Sequence, residues 1–114
     1  LNLAQMDALQ SLSYRFDLII ANLPYIPTAK LDKLEELKYE PRIALDGGED
    51  GLIVICKLIQ EIPDHIRKPG LILLEIQYDK GKIIQTMLED LFPYGKVAIL
   101  KDLANHDRVV KLEI

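Results

Sequence analysis

The sequence predicts an α/β fold, a mostly parallel sheet that finishes in an antiparallel hairpin. Three observations carry this expectation. Strand-length apolar runs alternate with segments whose apolar residues recur at helical spacing. The runs are continuously apolar, as the strands of a helix-covered parallel sheet are. The last two strand-like segments, 97–100 and 108–114, are joined by a short polar loop, whereas a parallel crossover takes a dozen or more residues. The expected sheet is therefore mixed, with one reversed strand near an edge and helices on its faces.

Each element follows in chain order. Residues 1–6 (LNLAQM) alternate weakly and predict a short strand. Residues 16–21 (FDLIIA) form a continuous apolar run closed by Asn22 and Pro24, which predicts a fully buried strand. Pro24 and Pro27 bias the residues before them away from helix, so NLPYIP is an extended or turning segment just past that strand's carboxyl end. Residues 30–39 carry Leu31, Leu34 and Leu37 among charges and read as either a short helix or a loop. Beyond Asp50, the residues Leu52, Ile55, Cys56 and Ile59 recur at helical spacing, with Asp50 placed to cap the first turn and Pro63 to end the helix. Residues 71–76 (LILLEI) predict a second buried strand, and Ile83, Ile84, Met87, Leu88 and Leu91 mark one face of a second helix.

Composition narrows the function classes. A chain of 114 residues is one small domain, and 49% apolar with 28% charged residues excludes a disordered or collagen-like chain. The apolar runs are too short to cross a bilayer and no basic segment precedes a cleavable hydrophobic stretch, so a soluble cytoplasmic protein is expected. Cys56 is alone, which excludes an intramolecular disulfide. His65 and His106 have no partners at ligand spacing, and the acidic residues 40, 46, 49 and 50 lack the alternation of a calcium loop, so no metal site is expected. Fourteen Lys and Arg against eighteen Asp and Glu leave no basic surplus for a strong nonspecific grip on nucleic acid.

Chemistry concentrates at NLPY. Open α/β sheets bind ligands beyond the carboxyl ends of their strands, and Asn22 to Tyr25 fall there. The Asn22 amide oxygen and the Leu23 carbonyl can converge as two acceptors, and Tyr25 can offer an aromatic face, which together suit a planar NH2 group. Asn and Pro after a strand also serve simply as turn formers. Asp17 reads as a strand-start residue. Glu75, within an apolar strand, reads as a buried, paired carboxylate and a lesser site candidate.

The segments FDLIIANLPYIP, YEPRIALDGGEDGL, GLILLEI and DLANHDRVV, in that order and spacing, resemble the C-terminal half of the HemK/PrmC family of S-adenosyl-L-methionine-dependent protein-(glutamine-N5) methyltransferases. The resemblance runs from about residue 7 onward. An NPPY-type tetrapeptide is shared with N6-adenine methyltransferases, whereas the EPxxALxGGxDGL stretch, residues 40–52, is particular to the glutamine-modifying branch. The resemblance implies a Rossmann-like class I methyltransferase fold with Asn22 as the catalytic residue. Asn22, Leu23, Pro24 and Tyr25 would bind the substrate amide, and Asp7, Ala8 and Asn22 would lie near the cofactor. Asp7 reads equally as a turn cap. The sequence departs from the family at Leu23, where a first proline is more usual, and at Gln77, where glycine is common.

The implied partner is the glutamine-bearing loop of a peptide chain release factor, with a ribosomal-protein glutamine as a close second. The resemblance further implies that residues 1–114 are a partial catalytic domain lacking the family's first two strands, its glycine-rich cofactor turn and its N-terminal substrate-recognition domain. GGEDG at 47–51 is not that turn, because no strand pattern immediately precedes it. Such a fragment is expected to be inactive alone. Its strand at 16–21 would present an apolar edge, covered by self-association or by residues 1–6. Two alternatives stand beside this reading, an N6-adenine methyltransferase and a noncatalytic interaction module of the same fold.

Overall fold

The computed structural model describes residues 2–37 and 39–114. Strand β1 (Phe16–Asn22) leads into helix α1 (Thr28–Leu31) and two single 3-10 turns, Glu35–Leu37 and Arg42–Ala44. Then follow α2 (Ile53–His65), β2 (Ile66–Glu75), α3 (Gly81–Leu91), β3 (Lys96–Lys101) and β4 (Asp107–Glu113). Four strands form one sheet in the order β1-β2-β4-β3. β1 and β2 are parallel, and β4 runs antiparallel to both β2 and β3. The expected mixed sheet, with its single reversed strand one place from an edge, is present.

The helices cover one face of the sheet, not both. The β1-α2-β2 and β2-α3-β3 connections both advance across the sheet in the same direction, and right-handed crossovers that do so put their helices on the same side. Burial follows. The rows Ile19, Ile72, Leu112 and Leu74, Val110 face the helices and join Ile55, Ile59, Ile62, Ile84 and Leu88 in one core. Ile59, Ile62, Ile72 and Leu74 are wholly buried, each contributing about 1.5–3 kcal/mol of apolar burial. On the opposite face Ile20 stays 68% exposed.

Other expectations change in detail. Residues 2–6 form no strand and take no place in the sheet; residue 1 lies outside the described residues. Nothing in the described chain therefore pairs with the free side of β1, and the expected occupation of that slot by residues 1–6 fails. β1 is consequently an edge strand in which only Ile19 is buried, rather than a fully buried one. Pro63 sits inside α2, which continues to His65, because a proline in the last turn removes one hydrogen bond without stopping the chain from coiling. Asp50 accepts the Leu52 N–H at 2.9 Å two residues on, so it shapes the turn before the helix rather than capping its first turn. β2 starts at Ile66, earlier than the apolar run, since Ile66 pairs with Phe16 before the ladder resumes at Leu71. Of residues 30–39, residue 38 lies outside the described residues, and the rest are neither one helix nor a plain loop but include the end of α1 and a 3-10 turn. Among the described residues, no helix is long and apolar enough to cross a membrane.

Candidate functional site

The parallel register sets the site's floor. Asn22 ends β1 directly beside Glu75, which ends β2, and Glu75 faces Val109 on β4. In-register neighbours on adjacent strands point to the same side of a sheet, so Asn22 and Glu75 share the face away from the helices. Past Asn22 the chain leaves the ladder, as Pro24 requires.

The segment that follows is held by the loop containing the three glycines. Ile26 and Asp46 form an isolated parallel bridge, with Ile26 N–H donating to the Leu45 carbonyl at 3.0 Å and Gly47 N–H to the Ile26 carbonyl at 2.9 Å. Asp46 fastens the far side. Its Oδ1 accepts the Thr28 hydroxyl at 2.6 Å and the Gly48 N–H at 3.0 Å, which hold its carboxyl below the usual carboxylate range, with Arg42 adding to the effect. Gly47 and Gly51 are buried against the Tyr25 backbone, and a Cβ on Gly47 would stand 2.7 Å from the Tyr25 Cα. Thus Gly47 and Gly51 serve Tyr25, while a Cβ on Gly48 would meet the Ile53 side chain. A 3-10 turn and a single bridge, not a strand, precede them.

Asn22, Leu23, Pro24 and Tyr25 line one cleft of about 310 Å³, whose opposite wall includes Leu37, Glu40 and Leu45. Among the described residues the Asn22 side chain and the Leu23 carbonyl make no hydrogen bond, and both residues line the cleft. Tyr25 is half-buried and donates its phenol hydrogen to Glu75 Oε1 at 3.2 Å. Burial pushes the Tyr25 phenol above its ordinary value; the Glu75 carboxylate adds to the push, and the Arg108 guanidinium opposes it. The arrangement offers two acceptors and an aromatic wall, the complement of a planar group that carries N–H donors.

Sequence comparison gives this geometry a family. No family model matches the chain. A release factor glutamine methyltransferase of Caulobacter vibrioides is 43% identical over 97 residues, 83% of this chain and 33% of that protein. The chain belongs to the release factor glutamine methyltransferase family. Proteins of the same name from Thermosynechococcus vestitus (38% over 92 residues, 79% of this chain and 32% of the relative) and Lactococcus lactis (30% over 115 residues, 99% and 43%) agree. The chain spans about a third of the length of the first two relatives.

Within that family pattern the structure brings the NLPY residues together and leaves Asp7 and Ala8 elsewhere, on the flank of α2. Asp7 pairs with Lys57 of α2, and Ala8 adopts a left-handed φ of 50°. The turn is fixed to the helix by Leu9 N–H on Glu61 Oε2 at 2.7 Å and by His65, whose ring nitrogens meet the carbonyls of Glu61 and Leu12. With its side chain 75% exposed, Asp7 keeps acceptor capacity for an exocyclic amino group of a nucleoside. The fit is to that edge alone. Asp17 takes Arg67 at 2.9 Å on the surface, away from the cleft. Gln77, at the position of the family glycine, buries Oε1 without a protein partner.

Glu40, which lines the cleft, and Arg108, whose charge acts on Tyr25 and Glu75, are residues that residue-by-residue reading passes over. Glu40 opens the EPRIAL segment, and only the Ile26–Asp46 bridge shows that this segment folds over NLPY. Arg108 carries no local motif; its carbonyl takes the Ile76 N–H, one residue beyond Glu75.

Proposed function

We propose that this chain carries the acceptor side of a class I, S-adenosyl-L-methionine-dependent methyltransferase that N5-methylates a glutamine side chain of a peptide chain release factor. The observation that carries the reading is the pair of unengaged acceptors, the Asn22 amide oxygen and the Leu23 carbonyl, opening on one cleft walled by Tyr25. The relatives' shared name supports the substrate.

An amide nitrogen is a poor nucleophile because its lone pair is delocalised into the carbonyl. Asn22 and Leu23 would each accept one of its two N–H bonds, fixing the nitrogen with its lone pair directed out of the amide plane. Tyr25 would pack on the flat carboxamide, and Pro24 would hold the turn that aims the Leu23 carbonyl. Leucine in place of a first proline costs only preset φ, since the acceptor is main chain. No side chain has to remove a proton first, because the nitrogen becomes acidic only on gaining its new bond. Catalysis by this chain is then positioning, which contributes as much as several kcal/mol of barrier reduction. When bound, S-adenosyl-L-methionine supplies the methyl group as an electrophilic carbon on a sulfonium. Asp7 and Ala8 would meet its adenine edge and Asn22 would face its methyl, and residues 1–114 by themselves would be inactive and bind the cofactor more weakly than micromolar. The domain is then a partial one, cytoplasmic like the translation factor it serves.

The test is Asn22→Ala in the full-length protein, assayed by mass spectrometry for methylation of a release-factor glutamine. The turnover number is expected to fall on the order of 100-fold or more, the cost of losing one preorganised hydrogen-bonding group. An unchanged rate overturns the assignment.

A further inference from the structure

On this amide-methylation reading, we propose that Glu75, beside the Arg108–Asp102 ion pair, is a positioning residue that anchors the Tyr25 ring against the acceptor amide. A tyrosine held only at its backbone can swing about χ1 and present its edge or its face. Here the far end is tied as well, by the phenol on Glu75 Oε1 at 3.2 Å. The anchor itself is stiff. Glu75 lies between two strands, paired with Asn22 on one side and Val109 on the other, and the next residue, Ile76, donates its N–H to the Arg108 carbonyl at 3.0 Å. One carboxylate therefore ties Tyr25 to the strand position beside Asn22, so the two groups that would hold the amide share a single reference point.

A fixed positive charge lies beside this anchor. Arg108 places Nε and Nη2 on Asp102 Oδ2 at 3.2 and 3.0 Å, while Asp102 Oδ1 accepts N–H groups from Ala104 and His106 at 2.9 and 3.0 Å. Arg108 is thus fixed by the β3–β4 turn. Its positive charge acts on both Tyr25 and Glu75. That charge offsets the cost of keeping the Glu75 carboxylate half-buried beside a phenol. Orientation of this kind is a large lever, because a displacement of about 1 Å in a reacting group can cost about 100-fold in rate.

The experiment compares Glu75→Gln, Glu75→Ala and Arg108→Met in the full-length protein. Glu75→Ala is expected to lower kcat for glutamine methylation about 10- to 100-fold with little change in KM for the release factor. Glu75→Gln, which keeps an acceptor for the phenol, should recover most of the loss. Tyr25 is followed separately by 13C-tyrosine NMR, assigned with Tyr25→Phe; its ionisation should move down in Glu75→Ala and up in Arg108→Met. An unmoved Tyr25 titration in Glu75→Ala overturns the anchor, and an unchanged kcat with a moved titration overturns its role in positioning. If the unaltered protein methylates no glutamine, the reading of the site itself falls, an outcome distinct from loss confined to the variants.

Discussion

A Cβ on Gly51 would stand 2.3 Å from the carbonyl oxygen of Tyr25, twenty-six positions earlier in the chain. No side chain fits there. Gly51 also has a φ of +77°, so alanine would be strained even without the clash. Gly51→Ala is expected to destabilise the protein by about 1–3 kcal/mol and to displace Tyr25 from the cleft. Denaturant unfolding gives the first quantity, and Tyr25 chemical shifts report the second. An alanine variant as stable as the parent would show that the close approach does not persist in solution.

Acid should loosen the β3–β4 turn. The His106 N–H, with the Arg108 guanidinium and the Ala104 N–H, holds the Asp102 carboxyl below its ordinary 3.8. A carboxyl whose folded-state value is depressed contributes stability that is present above the unfolded value and lost as pH falls through the folded one. Asp102→Asn should therefore melt lower than the parent at pH 7, and the gap should close well below pH 4. A gap that stays constant with pH would assign the effect to something other than the carboxylate charge.

The bare sheet face should drive association of the isolated chain. Leu18 and Ile20 on edge strand β1 are 47% and 68% exposed, and no described segment pairs with that edge. Sedimentation velocity at tens of micromolar is expected to show dimers or larger species, with Ile20→Lys returning the chain toward monomer. A monomeric parent chain would contradict this.

The Arg67–Asp17 pair should matter little. Both side chains are mostly exposed, 57% and 73%, and an ion pair in water contributes about 0–1 kcal/mol. Asp17→Asn should shift the unfolding free energy by less than about 1 kcal/mol and leave methylation unchanged. A larger loss of activity would place Asp17 in the site after all.

How much of this was legible in the letters depends on the range of the interaction. The helical spacing of Ile55 and Ile59, the apolar run ending at Glu75 and the short loop before Arg108 are local patterns. Local periodicity reports which side of an element is apolar, and so the sequence determined β1 to β4, α2 and α3 apart from their ends, the mixed sheet and the placement of Asn22 to Tyr25 past a strand end. It also determined the family, through segments whose order does not depend on knowing the fold. The tertiary structure alone decided that α2 and α3 lie on one face, because that follows from the direction of successive crossovers. It decided that FDLIIA is an exposed edge, since an apolar run does not reveal how many neighbours its strand has. It brought Glu75 under Tyr25 across fifty residues and laid Gly51 against the Tyr25 carbonyl. Contacts of that kind are fixed by strand register and loop closure, which no window of sequence contains.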